Sequence, residues 1–343
     1  LRVPAPLAWQ LLLLTFFTAG LLRQFHDRTP RSPYVPATVG SLLFAAIFFL
    51  LLVAAWEWRR GAVPGHGIRL GSLTPIMLML LIEKWISLTL YGPLFNWISP
   101  LTARAEMLDA QFIALAGGGL VMVCLLVCWF SAPAARKCWR RARPARWLTA
   151  IVATILVVSA TYLLLGAAAW ALGGSLKLKW PDPGPLFFWI IGGQLLLAFG
   201  EELYYRGLLL NEMERLAPRL GARSPVTRRW IALLATSALF GMEHLRLDPF
   251  SLEQVGRQMI FTVSFGLLLG LLIMVSTNIV FGAGIHAWIN WLLLGAAPYF
   301  VDGAGEAALP AGTYIGLTMI LAFAWSYLYQ RLRRRHRLRA IIS

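Results

Sequence analysis

Runs of about twenty apolar residues, cut apart by short arginine-bearing connections, recur along this chain, and few folds can hold them. A hydrocarbon core about 30 Å thick takes roughly 20 helical residues. By that measure, candidate spans lie at 7–22, 38–56, 73–92, 110–130, 148–172, 186–210, 230–245, 258–276, 279–297 and 312–330. Three of them (7–22, 230–245 and 279–297) are short, so the expected number is eight to ten. The runs are continuous and lack strand alternation, which excludes a closed transmembrane barrel. The expected fold is all-α, a polytopic transmembrane helical bundle. Composition agrees: 59% of the 343 residues are apolar and 13% charged, against about 25% charged in soluble chains. A water-soluble fold has nowhere to bury that much apolar surface. With 15 Trp, 9 Tyr and 19 Phe, the chain is also too aromatic for disorder. Three cysteines exclude a disulfide scaffold, and Cys124 and Cys128, four apart in one apolar run, read as packing residues.

The formal net charge of +16 would suggest a nucleic-acid partner in a soluble protein. Here the basic residues fall between apolar runs, where they set topology. No basic domain interleaved with aromatics exists to bind RNA or DNA, so no nucleic-acid partner is expected. Ten spans put both termini on one face, and the connections then divide the basic residues 21 to 8 in favour of that face. The positive-inside rule makes it cytoplasmic. The arginine-, alanine- and leucine-rich composition suggests a bacterial source, and hence a multi-pass protein of the inner membrane. Leu1–Leu22 reads as an uncleaved anchor, for want of a small-residue cleavage site. The tail RLRRRHRLR, from Arg331 to Arg339, reads as a stop-transfer anchor. Trp56, Trp58, Trp97, Trp147, Trp180 and Trp230 sit at span ends, as interfacial belts do. Three regions are expected: N-terminal helices of unassigned role over 1–185, a core over 186–297, and a last helix with its basic tail over 298–343.

Ionisable groups inside a bilayer are costly and therefore mark function. Glu83 and Lys84 are adjacent, do not face one another on a helix, and read as structural. Glu201, Glu202 and Arg206 are different. Glu202 and Arg206, at i and i+4, share a face and can neutralise each other, while Glu201 points about 100° away. A desolvated carboxylate outside such a pair can act as a general base. Phe240-Gly241-Met242-Glu243-His244 ends the seventh span. His286 and Asn290, at i and i+4, project from one face of the ninth. At 1.5 Å per residue, Glu201, His286 and His244 lie about 14, 10 and 20 Å from the cytoplasmic face, a spread that helix tilt accommodates. Three helices can thus bring polar groups to one middle layer.

In such a layer Glu201 with His244 could activate a water, and His286 with Asn290 could donate to an oxyanion. Together these roles give amide hydrolysis within the membrane. No HExxH helix, GxSxG elbow or GxGD aspartate is present. No cofactor is expected; a zinc site from His244, His286 and a Glu is conceivable but ranks lower, because the usual two-His helix spacing is missing.

EExxxR at Glu201, Glu202 and Arg206, FxxxH at Phe240 and His244, and HxxxN at His286 and Asn290, in this order, resemble the CAAX-protease and bacteriocin-processing (Abi) family of intramembrane endopeptidases. The resemblance covers roughly residues 186–297. It implies a glutamate-type protease in which Glu201 and His244 activate water, His286 and Asn290 stabilise the oxyanion, and Glu202 and Arg206 support them. The partners it implies are the lipid bilayer and a membrane-associated peptide or protein, cut at its C-terminal tail or sorting anchor. Two rivals belong to other classes: a catalytically idle scaffold or immunity factor, and a proton-coupled transporter using Glu201 and the histidines as a relay. A transporter of this size would be expected to show repeats and broken helices, which the sequence lacks.

Overall fold

A computed structural model of the chain describes residues 2–3, 68–69, 118, 120–121, 124, 146–171, 176–181, 185–244, 252–294, 296–302 and 309–342. The expected spans at 7–22, 38–56 and 73–92, most of 110–130, and Glu83 and Lys84 lie outside these residues. The order of elements is β1 (Arg2–Val3), β2 (Ile68–Arg69), α1 (Trp147–Ala171), β3 (Leu176–Lys179) and α2 (Pro185–Glu202). A π-helical segment (Leu203–Leu209), α3 (Leu210–Leu216), a 3-10 turn (Ala217–Leu220), α4 (Pro225–Glu243) and α5 (Leu252–Ser276) follow. The chain ends with α6 (Ile279–Leu293), β4 (Tyr299–Asp302) and α7 (Ala311–Ile342).

Among the described residues three helices are long and apolar enough to cross a bilayer: α1, α5 over Glu253–Ser276, and α7 over Ala311–Arg335. The protein is an all-α membrane helical bundle, and the described residues also form two short antiparallel ribbons, β1–β2 and β3–β4. Helix ends differ from the hydropathy expectation where polar residues are themselves helical. α5 starts at Leu252 rather than 258, because Glu253 and Arg257 form an i,i+4 ion pair on its first turns. α4 starts at Pro225 rather than 230: Ser224 caps it by accepting from Thr227 N at 3.0 Å, and Pro225 occupies the first helical position. α7 runs on through the arginine tail, whose residues are good helix formers.

The chain divides into two compact units, and α5 contributes residues to both. One includes Tyr204–Leu267, the other Trp139–Leu203 and Leu268–Ser343.

In the unit built on Trp139–Leu203 and Leu268–Ser343, α6 packs against α2 and α1, and α7 against α1 and α6. The seams close through small side chains and paired hydroxyls. A Cβ on Gly284 would lie 2.5 Å from Thr154 Oγ1, so a glycine there brings α6 onto α1. Thr161 and Thr318 share a buried hydrogen bond of 2.9 Å between α1 and α7. Asn278 caps α6, accepting from Val280 N at 3.0 Å and Phe281 N at 3.3 Å. Its own amide donates to Arg146 O at 3.5 Å, and Gln330 on α7 donates to Ser276 O at 3.3 Å. The start of α1, the α5–α6 turn and the arginine-rich stretch of α7 therefore share one end of the unit.

The β3–β4 ribbon connects to the opposite helix ends, following α1 and α6. Its register pairs Leu176 with Asp302, Lys177 with Val301, Leu178 with Phe300 and Lys179 with Tyr299. Phe300 N donates to Tyr314 Oη at 2.6 Å, and Phe300 O accepts from Leu309 N at 3.0 Å. Those bonds seal the outer edge of β4 against the chain itself. Tyr162 donates to Pro298 O at 2.6 Å and packs on Trp288, Phe300 and Tyr314, which ties the ribbon to α1, α6 and α7.

In the unit containing Tyr204–Leu267, α3 and the 3-10 turn lie against α4. Gly221, at φ 96°, ends the turn in the left-handed region that favours glycine. α4 approaches the first part of α5 closely. A Cβ on Gly241 would collide with Val263 Cγ2, and one on Gly266 would lie 3.2 Å from Phe240 and 3.3 Å from the Ser237 backbone.

Candidate active site

The two glutamates of the EExxxR motif end α2, and His286 sits midway along α6, which packs on α2. His286 is held between the carboxylates. Its Nδ1 lies 2.9 Å from Glu202 Oε1, and its Nε2 lies 3.5 Å from Glu201 Oε2. Adjacent residues on a helix point about 100° apart, yet both reach one ring because they meet its opposite nitrogens. Burial is nearly complete, with side-chain exposures of 0% for Glu202, 3% for His286 and 12% for Glu201. In so dry a setting a charge-assisted hydrogen bond orients a ring far more firmly than it would in water.

One turn further along α6, Asn290 Nδ2 donates to Gln194 Oε1 at 3.0 Å. Trp291 Nε1, next in sequence, donates to Ile191 O at 3.2 Å. The HxxxN spacing thus places two polar contacts on one α2–α6 seam. Gln194 carries no charge, so the pattern of ionisable groups does not point to it; a glutamine inside an otherwise apolar span is the available signal.

Arg206 lies within the π-helical segment, whose turns are wider than an α-helix's. The helix changes from α to π geometry at Leu203, between Glu202 and Arg206. In its own unit Arg206 is 1% exposed. Its Nη2 donates to Gly266 O at 3.0 Å, and its guanidinium stacks 4.6 Å over the Phe240 ring and 5.6 Å over Tyr205. Delocalised charge over aromatic faces suits a cation held in hydrocarbon.

His244 follows directly on α4 as its C-cap. Its Nδ1 lies 2.8 Å from Phe240 O, and its ring packs on the Phe240 ring with centroids 4.3 Å apart. This is what the FxxxH spacing does: one residue supplies both the carbonyl and the aromatic face that fix the imidazole. A carbonyl only accepts, so Nδ1 is the donor in this contact. Gln258 Nε2 donates to His244 O at 2.6 Å and anchors the backbone from α5.

The site residues therefore form two described groups. Glu201, Glu202, His286 and Asn290 come together with Gln194 in one unit; Arg206, Phe240 and His244 come together in the other. Among the described residues no group of three or more His, Cys, Asp or Glu is arranged to hold a metal ion. No curated protein and no solved structure matches the chain. Residues 183–292 match the family model described as Rce1-like type II CAAX prenyl endopeptidase. That stretch contains all three motifs, and over it the chain is similar to the CAAX-protease and bacteriocin-processing proteins, a family of membrane proteases.

Proposed function

We propose that the protein is an intramembrane endopeptidase that hydrolyses a peptide bond in the C-terminal tail or sorting anchor of a membrane-associated peptide or protein. The observation that carries the reading is the imidazole of His286 held between the carboxylates of Glu201 and Glu202, within the stretch matched to a protease family. Glu201 is the general base: it takes a proton from water as the water oxygen bonds to the scissile carbonyl carbon. The carbonyl oxygen becomes an oxyanion that receives hydrogen bonds from His286 and Asn290. When the carbon–nitrogen bond breaks, the proton returns from Glu201 to the leaving amine. His286 in this role needs protons on both nitrogens, one given to Glu202 and one to the oxyanion. His244 is assigned to water activation with Glu201 on the order of the motifs, and its fixed Nδ1 proton supports that assignment. Glu202 and Arg206 are supporting residues, and no metal takes part. Both termini are placed in the cytoplasm; for the C-terminus the shared end of Arg146, Ser276 and Gln330, beside the arginine tail, supports this.

The test uses detergent-purified protein and two quenched fluorogenic peptides, one with a prenylated cysteine near its C-terminus and one with a plain hydrophobic tail. Glu201→Gln and His244→Ala should each lower kcat/KM by about 100-fold or more at unchanged expression and melting temperature. Chelators should leave cleavage intact. Wild-type rates in both variants would refute the assignment, and chelator-sensitive cleavage restored by zinc would replace it with a metal mechanism.

A further inference from the structure

Gln194 lies on α2 seven residues before Glu201, two helical turns away, so amide and carboxylate occupy the same face. Opposite them α6 presents Asn290 one turn after His286. The seam thus has two polar rungs, carboxylate with imidazole and amide with amide. Trp291 and Ile191 hold the register beside the second rung. Gln194 is 5% exposed, whereas Asn290 is half-buried. In this pair the more buried residue accepts and the more open one donates.

An asparagine side chain has donors at one end and an acceptor at the other, and rotation about its last bond exchanges them. An oxyanion can use only the nitrogen end. Gln194 Oε1 accepts one of the two Nδ2 protons at 3.0 Å. The second proton sits on that same nitrogen, so with Gln194 presenting its oxygen, as it does here, Asn290 offers its nitrogen end to a reacting carbonyl. We infer that Gln194 is a positioning residue for peptide hydrolysis, its side-chain oxygen holding the Asn290 amide nitrogen-first for the oxyanion. The inference rests on the hydrolytic reading above. It adds to that reading a residue outside the three motifs, acting through Asn290 rather than on the substrate.

Full-length protein in detergent, assayed on the same two peptides, separates positioning from packing. Gln194→Met keeps the length of the side chain and removes the acceptor. It should lower kcat by about tenfold, the effect of one ordinary hydrogen bond, with KM near the wild-type value. Asn290→Ala should lower kcat by about 100-fold. The double variant should be no slower than Asn290→Ala alone, because Gln194 has nothing left to position. Gln194→Asn, which withdraws the acceptor by one methylene, is the second probe should the methionine variant fold poorly. It must show the same loss in kcat alone. Active wild-type protein with an unchanged kcat in these variants, or with additive losses in the double variant, would overturn the inference and leave the hydrolytic reading standing. Wild-type protein inert on both peptides would overturn the hydrolytic reading and this inference with it.

Discussion

Replacing Glu202 probes the clamp on His286 without touching the proposed base. The Glu202 Oε1 to His286 Nδ1 distance is 2.9 Å, at 0% and 3% side-chain exposure, so bulk water does not reach the pair. Removing the carboxylate leaves the Nδ1–H of a buried imidazole unpaired, at a cost of about 1–3 kcal/mol. Glu202→Leu should lose that much unfolding free energy, measured as a drop in melting temperature in detergent. Glu202→Gln keeps the volume and a carbonyl acceptor for the same N–H. It exchanges a charge-assisted bond of about 1.5–3 kcal/mol for a neutral one of about 0.5–1.5 kcal/mol, so its loss should be about 1 kcal/mol. Activity should follow the same order. About 3 kcal/mol of lost orientation is roughly a 100-fold fall in kcat, expected for leucine, while the glutamine variant should stay within about tenfold. Matching behaviour of the two variants in both melting and turnover would refute the idea that acceptance from Nδ1 is what Glu202 contributes.

Two further outcomes follow from the helix seams around the same unit. Gly284→Ala would put a Cβ 2.5 Å from Thr154 Oγ1, 2.9 Å from its Cγ2 and 3.2 Å from its Cβ. α6 would have to move off α1, at a cost of about 1–3 kcal/mol in unfolding free energy, and cleavage should fall because His286 is two residues away on the displaced helix. Thr277, in the turn between α5 and α6, has φ 56°, a conformation unfavourable for a β-branched residue and tolerated by asparagine. Thr277→Asn should therefore raise the melting temperature, by up to about 1 kcal/mol of stability, with turnover unchanged; a lower melting temperature would contradict the strain.

The spans were legible because hydropathy over about twenty residues is a strong signal, and α1 and α6 begin within a residue of the starts read from it. What hydropathy missed was polar helix. Glu253 and Arg257 on α5, and the arginines of α7, stabilise helical turns that a transfer scale counts as connection. The β3–β4 ribbon was illegible for another reason. Leu176-Lys177-Leu178-Lys179 alternates with a period of two, but four residues are too few to distinguish a strand from a loop. Its partner, Tyr299–Asp302, lies more than a hundred residues further along the chain, and no local pattern announces a pairing of that kind.

Among the site residues, spacing predicted facing and could not predict partners. HxxxN put His286 and Asn290 on one face because α6 is a regular α-helix, and the structure keeps them there. The EExxxR motif crosses a change of helix class at Leu203, one residue after the pair of glutamates. No propensity scale reports that change; π-helical segments are rare and tend to occur at functional sites. FxxxH carried more than its letters suggest. The phenylalanine supplies a carbonyl at 2.8 Å and a ring at 4.3 Å to the same histidine, so replacing the ring by another apolar side chain would leave the backbone acceptor and remove the stacking face. In each motif the spacing encodes which atoms can meet within one helix. The choice of Glu202 for His286, and of Gln194 for Asn290, is made between helices, by the register in which α2 and α6 pack.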